Sequence, residues 1–131
     1  MPNATGTFEI TSMSEDAYHE TADGLKLTHA RGTQRFSGDI EGDGSVEWLM
    51  CYLPDKSATF VGLQQIEASI GGHSGSFVMQ AQGVHDGTQS KAGWSVVAGS
   101  GTGELAGISG EGSFHAPSGP NATYDLEYVI R

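Results

Sequence analysis

Apolar and polar residues alternate with a period of two through most of the chain. Val46, Trp48, Met50 and Tyr52 share one parity of a single segment. Because successive side chains of a β-strand point to opposite faces, this alternation predicts strands. The segments end at glycine-rich turns or at dipeptides such as Asp86-Gly87, which favour hairpins. About eight strands are predicted, at residues 7–12, 25–36, 46–53, 58–70, 76–85, 90–98, 112–116 and 123–130.

Three segments between these strands are predicted to be irregular. Residues 14–24 are polar and indicate a loop, and residues 36–45 contain the hairpin dipeptide Asp43-Gly44. Residues 99–112 are rich in glycine, and the apolar piece near Glu104–Ile108 is where a helical turn is expected. Short connections between adjacent strands favour an up-and-down meander, and closing it removes exposed edges. We therefore predict an all-β fold, a closed eight-stranded antiparallel barrel with at most one short helical turn, as a single domain over residues 1–131.

Apolar side chains occupy both faces of the predicted sheet. We assign the aromatic parity to the barrel interior and expect it to form a pocket for a small apolar or aromatic molecule. The opposite parity carries further apolar side chains, which in a monomer would form one exposed patch. We expect a second subunit to cover this patch, and hence a homo-oligomer. The outer set includes Leu49, Cys51, Leu53, Val61 and Leu63. The predicted ligand contacts are Trp48, Met50, Tyr52, Phe60, Gln64, Phe77, Met79 and Trp94.

Net charge narrows the range of partners. Sixteen acidic and six basic residues give a formal charge of −10. Such a surface repels phosphate backbones and anionic headgroups, so neither nucleic-acid nor membrane binding is expected. Residues 1–6 have no basic region or apolar stretch of the signal-peptide kind, and no apolar run approaches the roughly 20 residues of a membrane span. A cytoplasmic location is expected.

No metal or cofactor site is predicted. Cys51 is the single cysteine, which excludes an intrachain disulfide and a zinc site of several thiolates. Residues 39–44 begin like a calcium loop, but Met50 stands where the loop needs a bidentate glutamate. Residues 101–106 match part of the dinucleotide-binding pattern without the βαβ unit that it requires. None of the five histidines is spaced to share one face of one strand with another.

Four polar residues are candidates for catalysis, should the barrel be an enzyme. Glu47 lies in the most apolar strand, where a buried carboxylate could act as a general base. Under strict alternation, the side chains of Glu47 and Trp48 point to opposite faces, so Glu47 lies on the outer face. This is the favoured interpretation. The other candidates are Tyr52, Gln64 and His85.

Five phrases of the sequence together resemble a bacterial family of unknown function. They are Phe36-Ser37-Gly38-Asp39, Val46-Glu47-Trp48-Leu49-Met50, Phe60-Val61-Gly62-Leu63, Gly75-Ser76-Phe77-Val78 and Gly99-Ser100-Gly101-Thr102-Gly103-Glu104-Leu105-Ala106-Gly107. The resemblance implies the barrel seen in allene oxide cyclase, which is related in shape to lipocalins and dirigent proteins. It implies no established activity and no catalytic residue.

Three functions are compatible with these observations. The first is a barrel that binds a small apolar or aromatic molecule. The second is a cofactor-free cyclase or isomerase that acts on an apolar substrate inside the barrel. The third is a structural oligomer whose barrel is filled by its own side chains.

Overall fold

The computed structural model describes residues 2–117 and 121–131. Each strand pairs antiparallel with its neighbour in sequence, and β8 pairs with β1 to close the barrel. The predicted closed eight-stranded antiparallel barrel is confirmed, and a single 3₁₀ turn accompanies it. The strands are β1 (Asn3–Glu20), β2 (Lys26–Gly38), β3 (Ile40–Tyr52), β4 (Ala58–Ile70), β5 (His73–His85), β6 (Ser90–Val96), β7 (Ile108–Ala116) and β8 (Asn121–Ile130), and the 3₁₀ turn is Gly103–Leu105.

The predicted inward parity is confirmed by the burial of alternate side chains. In β3, Val46 and Trp48 are buried while Glu47 and Leu49 are exposed. Aromatic rings fill much of the interior, with the Phe8 and Phe36 ring centroids 5.1 Å apart. Aromatic packing of this kind makes most of the barrel a solid core rather than a channel.

The 3₁₀ turn closes one end of the barrel. Its Leu105 side chain is fully buried in the same core cluster as Ile40 and Ile70. The preceding loop is fastened to β5, since the Thr102 amide donates to the Ser76 carbonyl at 2.8 Å and Thr102 Oγ1 accepts from the Ser76 amide at 3.1 Å. The opposite end, where the β1–β2, β3–β4 and β5–β6 connections lie, is the open end.

β1 is paired on both sides over only part of its length. Asn3–Glu9 pairs with β8, whereas Gly6–Glu20 pairs with β2. Beyond Glu9, no described residue pairs with the edge of β1 that faces away from β2. Register shifts at Ile10–Ser12 and Ala17–His19 interrupt this stretch, which also carries several acidic side chains. Irregularities and charges of this kind discourage edge-to-edge pairing with another chain.

Several predicted boundaries were wrong, because pairing with a neighbouring strand outweighs local composition. Residues 14–20, predicted as loop, continue β1 because they pair with β2. The predicted hairpin at Asp43-Gly44 lies inside β3, and the chain reverses instead at Gly38, whose φ of 101° suits glycine. β7 begins at Ile108, four residues earlier than predicted, because Ile108 pairs with β8.

Candidate functional site

The interior contains a cavity of about 170 Å³ at the open end of the barrel. β1, β2, β3, β4, β6, β7 and β8 all contribute to its wall. Among the described residues of its lining, three have polar side chains, Glu15, Gln34 and Ser90, and the others are apolar. The larger apolar side chains of the wall are Phe8, Met13, Trp48, Met50, Phe60 and Phe114.

A chain of three buried polar groups runs from the filled core to this cavity. The Trp94 Nε1–H donates to Gln64 Oε1 at 2.6 Å. Gln64 Nε2 in turn donates to Gln34 Oε1 at 2.8 Å. Gln34 and Gln64 are both almost fully buried, and Gln34 forms part of the cavity wall.

The direction of this chain follows from the chemistry of Trp94. An indole N–H can only donate, so it fixes the carbonyl oxygen of Gln64 on its own side. The Gln64 amide nitrogen must then face Gln34, whose oxygen accepts from it. The remaining group, Gln34 Nε2, is a buried donor without a hydrogen-bond partner among the described residues. Such groups are rare in folded proteins because leaving them unpaired is costly.

A carboxylate lies at the rim of the cavity. Glu15 Oε2 accepts hydrogen bonds from Tyr52 OH at 2.7 Å and from Thr28 Oγ1 at 2.6 Å. Partial burial, together with the hydrogen bond and the charge of Glu15, raises the pKa of Tyr52 to about 12. The raised pKa makes the Tyr52 phenol a weaker acid than usual, and the phenol keeps its proton at neutral pH and donates it in the hydrogen bond to Glu15.

His85 and Ser90 form a second polar pair near the rim. The two residues face each other across the β5–β6 hairpin, and His85 Nδ1 lies 2.8 Å from Ser90 Oγ. Ser90 lines the cavity, while His85 stands behind it. This hydrogen bond ties the ends of the two strands together and holds the serine hydroxyl in the wall.

Three of the eight predicted ligand contacts line the cavity, namely Trp48, Met50 and Phe60. Tyr52 is half-buried at the rim, where it bonds to Glu15. Four others are buried in the filled part of the barrel and do not line the cavity. These four are Gln64, Phe77, Met79 and Trp94.

The catalytic candidates are not brought together. Glu47 lies on the outer face, as the alternation favours, with its carboxylate 2.8 Å from His29 Nε2. It therefore cannot act on a molecule inside the barrel. Tyr52 and His85 lie near the open end, and Gln64 is covered by Gln34.

Sequence reasoning missed the polar residues that do line the cavity. Gln34 follows the same parity as Phe36 in β2, so the alternation could have identified it as inward-facing. Glu15 lies in the predicted loop of residues 14–24, so the alternation assigns it to neither the inner nor the outer face of the barrel. Ser90 stands at the start of a strand, where a parity pattern is least informative.

An outer groove with a volume of about 1070 Å³ crosses β1, β2, β3, β4 and β5, and it shares Met13 and Trp48 with the lining of the cavity. Its floor includes the exposed side chains of Leu49, Val61 and Leu63. Leu49 and Val61 are direct cross-strand partners. The predicted exposure is confirmed for Leu49, Val61 and Leu63, whereas Cys51 of the same predicted set is only partly exposed.

The chain was compared with known families, curated proteins and solved structures. Residues 4–128 match the family described as protein of unknown function (DUF3224). The chain belongs to the DUF3224 family. A solved structure from Shewanella oneidensis MR-1, described as a protein with unknown function from the DUF3224 family, is 28% identical. That alignment covers 100% of this chain and 98% of the other, with a TM-score of 0.85. None of the curated proteins matches.

The resemblance to a bacterial family of unknown function is thereby confirmed for this DUF3224 protein. Within residues 2–117 and 121–131, no helix is long and apolar enough to cross a membrane. No group of three or more histidine, cysteine, aspartate or glutamate side chains in the described part of the chain is arranged to hold a metal ion.

Proposed function

We propose that this DUF3224 protein binds one small apolar or aromatic molecule in the cavity at the open end of its barrel. The observation that supports this is an aromatic-lined cavity of about 170 Å³ whose wall includes a few polar groups. Binding sites for small molecules typically combine an apolar wall with a few such groups. An apolar cavity of about 150 Å³ in another protein takes up benzene, so this volume suits a single ring with a short substituent.

Toluene is a suitable first probe because it matches the cavity in size and polarity. Toluene at about ten times its dissociation constant should stabilise the folded protein by about 1.4 kcal/mol, which raises Tm by several degrees. Its binding should also change the fluorescence of Trp48, which lines the cavity. Thermal unfolding and calorimetric titration measure the two expected effects of binding, stabilisation and heat release.

Two variants, each with one alanine replaced by phenylalanine, test where toluene binds. Ala116 lines the cavity at the end of β7, so Ala116→Phe should fill the opening and abolish the Tm increase. Ala98 is exposed in the loop after β6, so Ala98→Phe should bind toluene like the unmodified protein. Absence of toluene binding by the unmodified protein in both measurements would contradict the proposal.

A cofactor-free cyclase or isomerase is the alternative function, and analogy with the barrel of allene oxide cyclase is what supports it. Such an enzyme holds a reactive apolar substrate beside one or two polar groups. In this barrel Glu15 and Tyr52, hydrogen-bonded at the rim, would be those groups. Native mass spectrometry of freshly purified protein would identify a retained molecule and so separate a stored ligand from a substrate or product.

The cytoplasmic location stays a prediction from the sequence.

We also propose that a second copy of this chain covers the outer groove. Leu49 and Leu63 are each about half exposed, and together with Val61 they form a contiguous apolar surface. Soluble monomers seldom leave large surfaces of this kind uncovered.

Charge favours a second copy as the occupant of the groove. The charged groups that line it are Arg31 and Glu47, with His29 hydrogen-bonded to Glu47. The formal charge of the groove is therefore close to zero on a chain of charge −10. Two acidic copies can approach each other through this face with less repulsion than through most others.

Placing a charge in the groove should dissociate the assembly. Leu63→Asp is expected to sediment at the monomer mass of 13.7 kDa while keeping its barrel folded. Val84 is equally exposed on β5 but lies outside the groove, so Val84→Asp should keep the mass of the unmodified assembly. Sedimentation of the unmodified protein as a monomer at micromolar concentration would overturn this proposal.

A further inference from the structure

We infer that the molecule bound in the cavity is a neutral carbonyl compound, whose oxygen accepts a hydrogen bond from Gln34 Nε2. The inference rests on the proposed binding function and adds the chemical class of the ligand. Its basis is the chain of polar groups from Trp94 to Gln34, which leaves a donor, and not an acceptor, at the cavity wall.

The polarity of the free group selects an acceptor. Trp94 can only donate, so both amides are oriented with their nitrogens toward the Gln34 end of the chain. If an acceptor stood in place of Trp94 in this hydrogen-bond chain, both amides would be reversed. The free group of Gln34 would then be an oxygen, which would select a ligand with an O–H or N–H. As the chain stands, a carbonyl oxygen satisfies Gln34 Nε2 without bringing a donor of its own into the apolar wall.

The surrounding charges exclude an anionic ligand and favour a neutral one. Among the residues that the structure describes, no lysine, arginine or histidine side chain lines the cavity. The carboxylate of Glu15 stands at the rim, and the chain as a whole carries a formal charge of −10. A fatty or aromatic acid would have to bury its carboxylate without a cation, which is costly. A ketone or an aldehyde brings the acceptor without the charge.

The donor of Gln34 is covered by its surroundings. Gln34 is 1% exposed and its Nε2 is covered, so a ligand oxygen must displace a neighbouring group to reach it. Met50 lines the same cavity and is half-buried. Methionine has several rotatable bonds and adapts readily to the shape of its surroundings. The cavity wall can therefore adapt to the shape of a bound molecule.

Acetophenone and ethylbenzene provide the test, because they share a ring and a two-carbon substituent and differ in the carbonyl oxygen. Ethylbenzene leaves water more readily than acetophenone, which by itself favours its binding. This difference cancels when the ratio of the two dissociation constants in the unmodified protein is compared with the same ratio in a variant. Gln34→Met keeps the length of the side chain and removes the donor. We expect the preference for acetophenone over ethylbenzene to fall about tenfold in Gln34→Met, as the loss of one buried hydrogen bond predicts.

Met50→Leu is the matched control, because it alters the apolar wall and leaves Gln34 in place. In this variant both dissociation constants should change by a similar factor, which keeps their ratio. An unchanged ratio in Gln34→Met, with ethylbenzene still bound, would overturn the carbonyl inference and leave the proposed binding function intact. If the unmodified protein bound neither compound, the proposed function itself would fail. Circular dichroism and Tm establish that each variant is folded before the titrations.

Discussion

Replacing Leu105 with alanine is expected to lower the free energy of unfolding by about 2–5 kcal/mol. Leu105 is fully buried at the closed end of the barrel, where the 3₁₀ turn holds it in the main core cluster. Removing the side chain leaves a void that the turn cannot fill by moving inward, because its loop is hydrogen-bonded to β5. Thr102 bonds to Ser76, and the Glu104 carboxylate accepts from the Ser74 amide at 2.9 Å. Urea denaturation of the variant and of the unmodified protein measures the difference.

Leu53→Ala is the matched control, since it removes the same atoms from an exposed site. Leu53 lies in the turn between β3 and β4 and is 40% exposed, outside the outer groove. Its replacement should change the free energy of unfolding by no more than about 0.5 kcal/mol. Equal destabilisation by the two variants would show that the 3₁₀ turn does not close the core.

Replacing Gln64 with methionine is expected to destabilise the protein by about 2–4 kcal/mol, much more than the same change at Gln34. Gln64 bonds to two buried groups, so its loss strands both Trp94 Nε1 and Gln34 Oε1. Each stranded buried group costs about 1–3 kcal/mol. Gln34→Met breaks one bond and also removes the unpaired Nε2, so its net cost should stay within about 1 kcal/mol.

The ratio of the two effects is the informative result, and urea denaturation of both variants measures it. Methionine has nearly the same length as glutamine, so neither variant creates a large cavity. Equal destabilisation by Gln34→Met and Gln64→Met would contradict the assignment of Gln34 as the end of the hydrogen-bond chain, with its Nε2 unpaired. It would also remove the basis for a donor at the cavity wall.

Much of the fold could be predicted from the sequence because a closed barrel imposes one simple rule on every strand. Inward and outward side chains must alternate, so the parity of Trp48, Phe60, Phe77 and Trp94 identified the interior correctly. The glycine-rich segment before β7 also contains the predicted helical turn. The predictions failed where local composition favours a turn and pairing with a neighbouring strand favours a continuous strand. Asp43-Gly44 is a favoured turn dipeptide, yet it lies within β3.

The cavity could not be predicted in the same way, because parity gives the face of a residue but not its height along the barrel axis. Phe60 and Phe77 are both inward-facing, yet Phe60 lines the cavity and Phe77 lies in the filled core. That difference depends on the stagger between strands and on which side chains meet across the interior. The unpaired donor of Gln34 is a property of three strands together, since its partners belong to β4 and β6.

The closure of the barrel by β1 and β8 has a consequence for biosynthesis. The other seven pairings join strands that follow each other in the chain, whereas Asn3 pairs with Glu127, close to the opposite terminus. On the ribosome β1 emerges before β8, so the Asn3–Glu9 edge stays without its partner until β8 has been synthesised. Pairing between distant residues also costs the most chain entropy and tends to form late. We therefore expect the nascent meander to be most vulnerable to intermolecular association before the last strand is released, and most dependent on chaperones at that point.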